Sequence, residues 1–244
     1  MRKPQMVLFD YAHTLAWEPD TDFLRGERAV FQHVGENPRQ VTPEEASALG
    51  TKIWLSQREA RHSGMELHEH QQLRLKYDAM GLKFDLPMVE LEKLLWTATT
   101  PGEAMPGAPE MLKEMDKRSI RTGVISNLGW SEAALTDRLR RLLRHEFEMV
   151  IVSSEYGVRK PDPLLFQAAL SRAGLEPGDV WFCGDQIGAD IHGALGVGMF
   201  PVWYECDDIP NGFAKKNEGL TISGEHLHIH HWEELLAAID DCEG

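Results

Sequence analysis

The amino-acid sequence predicts an α/β fold, a doubly wound parallel sheet with a helical segment inserted after the first strand. The first observation is an apolar run at residues 6–9, directly before Asp10. The second is the alternation of strand and helix patterns from residue 106 onward, which is typical of right-handed βαβ units and a parallel sheet. The third is the stretch of about eighty residues between them, which carries helical patterns only.

The run at residues 6–9 reads as a buried strand because four apolar residues are followed at once by polar, turn-prone residues. In an open α/β sheet, ligands bind in the crevice beyond the carboxyl ends of the strands. Asp10 comes directly after this strand, so the sequence places its carboxylate where chemistry is expected.

Helical patterns fill the segment after the first strand. The sequence Thr42-Pro43-Glu44-Glu45 combines an N-cap threonine, a proline at the first helical position and a glutamate three residues after the cap. Amphipathic spacing predicts four helices, at residues 23–34, 42–61, 66–80 and 87–96. We therefore expect a helical cap domain at residues 16–100, and an α/β core domain built from residues 1–15 and 101–244.

The remainder of the chain alternates between strands and helices. Apolar runs of strand length lie at residues 122–126, 149–153, 180–183 and 200–203. Helical patterns lie at residues 108–117, 131–143, 163–173 and 187–195. Ser131 is the expected N-cap of the second of these helices. A short strand near residues 220–222 and a terminal helix over residues 231–239 complete the prediction.

Composition and charge limit the possible functions. Hydrophobic residues make up 42% of the 244 residues, which is ordinary for a globular protein. The formal net charge of −14 opposes binding to nucleic acids and to anionic membrane surfaces. Three scattered cysteines indicate reduced thiols, and the run at residues 6–9 is too short for a signal peptide. No stretch approaches the ~20 apolar residues of a membrane span, so we expect a cytoplasmic protein. The sequence does not determine its oligomeric state.

Polar and charged residues follow several of the predicted strands. Ser126 and Asn127 end one strand, and Lys160 lies in the loop before a later helix. Asp185 and Asp190 follow a further strand. Carboxylates can hold Mg²⁺, while a hydroxyl group and an ammonium group can neutralise phosphate oxygens. The set therefore predicts a site for Mg²⁺ and a small phosphorylated substrate.

In order along the chain, these residues resemble the four motifs of the haloacid dehalogenase superfamily of hydrolases. The first motif is an apolar strand followed by Asp-x-Asp-x-Thr, here Asp10-Tyr11-Ala12-His13-Thr14. The second is a strand-end serine, here Ser126, and the third is a lysine before a helix, here Lys160. The fourth is Gly-Asp with a later Asp, here Gly184-Asp185 and Asp190. The resemblance implies a Rossmann-like core with a helical cap between the first and second motifs.

The resemblance also implies the chemistry at Asp10. Asp10 would attack phosphorus and form an aspartyl-phosphate, which splits one difficult displacement into two easier steps. Mg²⁺ would be held by the carboxylates of Asp10 and Asp185 and by the backbone carbonyl of Ala12. The implied activity is that of a phosphatase acting on a small phosphorylated metabolite.

Four further residues take roles from the same resemblance. Ser126 would donate a hydrogen bond to a phosphoryl oxygen, together with the backbone amide of Asn127. Lys160 would balance charge between the phosphate and the nucleophile. Asp190 would orient Lys160 or a metal-bound water. These roles predict that loops from different strands meet at one phosphate group.

The chain departs from the family pattern at Ala12. Family phosphatases carry an aspartate there that protonates the leaving alcohol and later activates water, and a methyl group can do neither. Losing general acid-base catalysis typically costs ~10²–10⁴ in rate, so an ordinary alkyl phosphate would be a poor substrate. The neighbouring His13 has suitable chemistry, but we expect its side chain to point elsewhere.

Ala12 leaves two other functions open. Alanine at this position resembles phosphonoacetaldehyde hydrolase, in which a cap lysine forms a Schiff base with the substrate during carbon–phosphorus cleavage. Lys52 would be that lysine, although a solvated helix lysine is the better interpretation. The second function is that of a catalytically weak phosphate-binding or regulatory protein. A dehalogenase is disfavoured, because it would carry a bulkier residue at position 12 and would not need Asp185.

Two groups of side chains have an ordinary structural interpretation. Core packing is the expected role of three tryptophans, Trp17, Trp54 and Trp96. Three histidines alternate as they would on one face of a strand, at His226, His228 and His230. We interpret the histidines as a polar edge before the last helix rather than as metal ligands.

Overall fold

The computed structural model describes residues 1–211 and 214–242. The described strands are β1 (Met6–Phe9), β2 (Ala16–Trp17), β3 (Val34–Glu36), β4 (Lys83–Phe84), β5 (Glu103–Ala104), β6 (Arg121–Ser126), β7 (Met149–Val152), β8 (Val180–Gly184), β9 (Phe200–Tyr204) and β10 (Leu227–Ile229). The described α-helices are α1 (Phe23–Val30), α2 (Pro43–Ser56), α3 (Arg58–His62), α4 (Glu69–Met80), α5 (Met88–Thr99), α6 (Ala108–Lys117), α7 (Glu132–Leu143), α8 (Ser153–Tyr156), α9 (Pro163–Ala173), α10 (His192–Val197) and α11 (Trp232–Asp240). Among these helices, none has the length and apolar character needed to cross a membrane.

Six parallel strands form the main sheet, in the order β10-β9-β8-β1-β6-β7. Strand β1 lies inside the sheet between β8 and β6, and all four of its residues are buried. Phe9, at its end, pairs with Val124 on one side and Cys183 on the other. The carboxyl ends of three strands therefore lie side by side, as the predicted doubly wound α/β fold requires.

Helices cover both faces of this sheet, because successive residues of β1 belong to two different apolar clusters. Val7 and Phe9 pack in a cluster that includes side chains of α6, α7 and α11. Met6 and Leu8 pack in a second cluster with side chains of α9 and α10. Alternate residues of a strand point to opposite faces, so each face of the sheet has its own core.

Five helices, α1 to α5, lie between β2 and β5, where the sequence predicts a helical segment. Thr42 caps α2, and the reciprocal hydrogen bonds between Thr42 and Glu45 confirm the predicted capping box. A third apolar cluster belongs to this segment, with buried side chains Val30, Leu73, Tyr77, Leu82, Leu91 and Leu95. The division of the chain into a cap domain and a core domain stays a prediction.

The ends of this segment lie next to each other. Strand β2 pairs with β5 in antiparallel register, with Ala16 opposite Ala104. The guanidinium of Arg138 donates hydrogen bonds to the Thr100 carbonyl at 2.7 Å and to Glu18 Oε1 at 3.1 Å. The chain therefore leaves the main sheet and returns to it through one small ribbon held by a buried arginine.

Three helices differ in detail from the predicted ones. Helix α1 ends before Val34, because Val34–Glu36 pairs with Lys83–Phe84 as a two-stranded ribbon. The helix predicted over residues 42–61 is interrupted at Gln57, between α2 and α3. The helix predicted from residue 187 begins with one π-helical turn at Ile187–Ile191 before α10.

The strand predicted near residues 220–222 is wrong, and Leu227–Ile229 forms the edge strand instead. This segment pairs with β9, while the carbonyl of Thr221 is hydrogen-bonded to the His192 side chain at 3.0 Å. His228 lies in this strand and contacts Glu205, and His230 directly follows the strand and contacts Asp207. The imidazoles of both histidines are therefore hydrogen-bonded to neighbouring carboxylates at this edge of the sheet.

Candidate active site

Three strand ends bring polar side chains to one edge of the sheet. Asp10 follows β1, Ser126 ends β6 and Asp185 follows β8. The Asp10 amide donates to the Cys183 carbonyl at 2.9 Å, which continues the β1–β8 pairing to Asp10. Asp10, Ser126 and Asp185 are all buried. The register of the parallel strands therefore places these three side chains together.

Three carboxylates converge at this edge. Asp10, Asp185 and Asp190 each offer an oxygen, and these oxygens lie within 4.8 Å of one another. Burial raises the pKa of Asp185, and the neighbouring charges of Asp190 and Asp10 raise it further. A β-carbon built on Gly184 would lie 2.4 Å from the Asp190 carboxyl carbon, so only glycine leaves room for this approach.

Lys160 holds two of these carboxylates. Its Nζ lies 2.7 Å from Asp10 Oδ1 and 2.7 Å from Asp190 Oδ1, and it donates to the Ile125 carbonyl at 2.8 Å. Burial alone would lower the pKa of Lys160, but the charges of Asp10 and Asp190 outweigh it and raise the pKa. Asp190 also accepts a hydrogen bond from the Gln186 amide at 2.9 Å. Asp190 is therefore fixed between a lysine and a backbone amide.

Asp185 has an oxygen available for a further ligand. Its Oδ2 accepts a hydrogen bond from the Asn211 amide group at 2.8 Å, while its buried Oδ1 has no hydrogen-bond partner among residues 1–211 and 214–242. The surrounding donors are carboxylate and carbonyl oxygens, which suit a hard divalent cation such as Mg²⁺ rather than a thiolate-bound metal. Asp10 and Asp185 therefore fit the ligand set that the resemblance implies, and Ala12 lines the same cavity as Asp10.

The Asn127 side chain ties two of the predicted motif loops together. Its Oδ1 accepts from the Lys160 amide at 2.7 Å, and its Nδ2 donates to the Lys160 carbonyl at 3.0 Å. Ser126 and Asn127 both line the cavity above the carboxylates. The side chain of Asn127 thus positions Lys160, which agrees with a phosphate role for its backbone amide rather than for its side chain.

The first motif presents an alanine and a histidine to the same cavity. Ala12 and His13 line it together with Asp10. His13 has a φ of 56°, in the left-handed region that a non-glycine residue adopts infrequently. Burial lowers the pKa of His13, and the Asp10 charge opposes this shift. His13 thus lines the same cavity as Asp10, and the direction of its side chain stays a prediction.

Lys52 does not share this environment. It is exposed on α2 and is absent from the side chains that line the cavity, although its neighbours Thr51 and Ile53 are among them. The cavity contains a different lysine, Lys76, which is buried and paired with Glu27. The described geometry therefore supports the solvated interpretation of Lys52.

A cavity of about 890 Å³ opens above the strand ends and extends between the helices of the inserted segment. It brings in residues that the sequence motifs did not indicate, among them Arg159 and Gln186. Each is adjacent in sequence to a motif residue, which is the signal that could have identified them. Trp54 was expected in a core, but half of its surface is exposed and it lines the cavity wall.

The fold is a doubly wound α/β fold, and its strand ends carry aspartates and a lysine. The sequence model of haloacid dehalogenase-like hydrolases matches residues 7–198, which is most of the chain. The protein therefore belongs to the haloacid dehalogenase-like hydrolase family, as the four motifs predict.

Two curated relatives carry names of phosphatases. A glyceraldehyde 3-phosphate phosphatase from Pyrococcus furiosus is 36% identical over 101 residues, covering 41% of this chain and 42% of the relative. A phosphoserine phosphatase from Thermus thermophilus is 32% identical over 100 residues, covering 41% and 40%. The matched part thus spans about two fifths of either relative.

A solved structure extends the likeness to the whole fold. The crystal structure of a haloacid dehalogenase-type phosphatase from Thermococcus onnurineus superposes with a TM-score of 0.63. The superposition covers 99% of both chains at 19% sequence identity. At this identity the likeness concerns the fold, so the activity has to be argued from the site.

Proposed function

We propose that this protein is a Mg²⁺-dependent phosphohydrolase that cleaves small phosphorylated metabolites through an aspartyl-phosphate at Asp10. The observation that carries the proposal is the contact of Lys160 with Asp10 and Asp190, beside Asp185, at the bottom of a cavity. A buried ammonium group next to a carboxylate nucleophile reduces the repulsion that a phosphate dianion would meet there. The phosphatase names of the matched relatives agree with this proposal.

The carboxylates of Asp10 and Asp185 and the carbonyl of Ala12 would hold Mg²⁺. When bound, the ion would neutralise charge on the phosphate and on the carboxylates. The partnerless Oδ1 of Asp185 supports this assignment, since a buried carboxylate oxygen without a donor is costly unless a cation approaches it. We further propose that residues 16–100 act as a cap over the cavity.

The remaining residues would position the phosphoryl group. The Ser126 hydroxyl and the Asn127 backbone amide would donate to its oxygens, and Lys160 would hold the phosphate close to Asp10. Asp10 would attack phosphorus, and water would then hydrolyse the aspartyl-phosphate. Asp190 would act through Lys160 as a positioning residue, because it contacts the lysine and the Gln186 amide.

The proposed location is the cytoplasm. The cysteines at Cys183, Cys206 and Cys242 are unpaired in the described residues, as expected of a protein in a reducing compartment. The net charge of −14 opposes binding to nucleic acid and to an anionic membrane surface.

The test is phosphate release by purified protein with Mg²⁺ from p-nitrophenyl phosphate, acetyl phosphate, a panel of phosphorylated metabolites and phosphonoacetaldehyde. Asp10→Asn should abolish turnover and the hydroxylamine-sensitive phosphoryl label on the protein. Asp78→Asn is the matched control, since Asp78 is exposed on α4 outside the cavity. Absence of turnover on every compound, with equal phosphate binding by wild type and Asp10→Asn, would leave a phosphate-binding role and refute the enzymatic one.

A further inference from the structure

We propose that the substrate is an aryl phosphate monoester, whose aromatic group occupies the part of the cavity lined by the inserted helices. This inference rests on the proposed phosphohydrolase function and specifies its leaving group. Two independent features carry it: the aromatic lining of the cavity, and the alanine at position 12.

Aromatic and aliphatic side chains form part of the cavity wall, alongside polar and charged ones. Six aromatic residues take part, Tyr11, Trp17, Phe23, Trp54, Trp96 and Trp130. The volume of about 890 Å³ lies in the range of roughly 300–1,000 Å³ that is usual for ligand sites. A phosphate group fills only a small part of this space, so the cavity offers room for a large apolar group.

Part of this apolar lining faces water. The exposed fractions are 64% for Phe23, 50% for Trp54 and 47% for Leu55, all on α1 and α2 at the cavity. Large apolar side chains that remain exposed together typically mark a site that another molecule covers. Since this group is continuous with the pocket that holds Asp10, the natural occupant is the substrate itself.

Two of the cationic side chains in this part of the cavity contact other protein groups. Lys76 pairs with Glu27, and the Arg61 guanidinium lies 4.4 Å from the centre of the Trp54 ring. Arg61 also donates to the Trp54 carbonyl at 2.6 Å. Lys76 and Arg61 are therefore held by contacts within the protein.

Ala12 favours the same class of substrate for a chemical reason. Asp10 forms a bond to phosphorus while the bond from phosphorus to the leaving oxygen breaks, and the electron pair stays on that oxygen. A phenol has a pKa of about 10, against about 15.7 for water, so a phenolate can depart without being protonated. Water then attacks the aspartyl-phosphate, regenerates the Asp10 carboxylate and leaves both of its protons on dihydrogenphosphate.

The first measurement is kcat/KM for substituted phenyl phosphates of similar size, compared with glycerol phosphate. In the wild type we expect kcat/KM to fall several-fold per unit rise in the pKa of the phenol, and Ala12→Asp to flatten this dependence. A substitute proton donor in the cavity, such as His13 beside Ala12, would already flatten it in the wild type. A flat wild-type dependence, or glycerol phosphate turned over as fast as phenyl phosphate, would overturn the inference.

The second measurement tests the aromatic subsite. Trp54→Ala should lower the ratio of kcat/KM for 1-naphthyl phosphate to that for acetyl phosphate by about tenfold, the upper range of one lost aromatic contact. Leu164→Ala, an exposed apolar residue outside the cavity, should keep the wild-type ratio. Phe23→Ala provides a second test at a more exposed position. An unchanged ratio in both cavity variants would overturn the subsite.

Failure of the two proposals can be told apart. If the wild type releases phosphate from acetyl phosphate and glycerol phosphate, but shows no preference for aryl groups, only the aryl inference is wrong. If no compound is hydrolysed, and Asp10→Asn behaves as the wild type, both proposals are wrong.

Discussion

Lys160→Met provides the most direct measure of how strongly the charges of the candidate site depend on one another. The change keeps a long unbranched side chain but removes an ammonium group that lies 2.7 Å from Asp10 and from Asp190. All three side chains are at most 5% exposed, so the carboxylates would be left buried without their cation. Breaking a buried ion pair in this way costs roughly 3–5 kcal/mol. We expect a loss of about this size in the free energy of unfolding, measured by urea denaturation without Mg²⁺.

Lys83→Met is the matched control for this experiment. Lys83 pairs with Glu36 at 2.8 Å, a similar distance, but the two side chains are 71% and 61% exposed. Exposed pairs contribute about 0–1 kcal/mol, so this variant should be nearly as stable as the wild type. Adding Asp10→Asn to Lys160→Met should recover part of the lost stability, because one uncompensated charge disappears. A loss in Lys160→Met no larger than in the control would refute the reasoning.

Three further predictions concern the same site. Mg²⁺ should raise the melting temperature of the wild type but not of Asp185→Asn, because the ion would lose a carboxylate ligand; a thermal scan with and without the ion checks this. Ala12→Asp should raise kcat/KM for glycerol phosphate by about 10² or more, since it supplies a proton donor, and unchanged kinetics would contradict it. Burial raises the pKa of Glu69 to about 7. The contribution of Glu69 to the free energy of unfolding is therefore largest below its ordinary pKa, where the carboxyl group is protonated, and it is lost as the pH rises through 7. The free energy of unfolding of Glu69→Gln, relative to that of the wild type, should therefore be higher at pH 8 than at pH 5. Urea titrations at the two pH values measure this difference.

Much of the core was predictable because its signals are local. The strand at Met6–Phe9 and the helix at Ala108–Lys117 have the predicted bounds. The N-cap of α2 at Thr42 was predictable from four consecutive residues. The candidate site follows from strand order, because parallel strands bring their carboxyl ends to one edge whatever the intervening helices do. Asp10 and Asp185 thus could be placed together from sequence.

The parts that could not be predicted depend on distant contacts. The ribbon between Val34–Glu36 and Lys83–Phe84 joins segments far apart in the chain, and neither half has a strong strand pattern. Asn211 contacts Asp185 from a segment that carries no motif. Trp54 has the apolar character of a core residue, and the sequence cannot distinguish a helix face that meets other helices from one that meets a cavity.

The short ribbon of β2 and β5 has a consequence for how such a protein can change during evolution. Because Ala16 lies opposite Ala104, the polypeptide between them begins and ends at one place, and a tight turn could join the two strands as a hairpin. A longer, shorter or differently shaped module could be exchanged at this junction while the six parallel strands keep their register. The sheet edge that carries Asp10 and the helices that line the cavity above it can therefore be inherited separately.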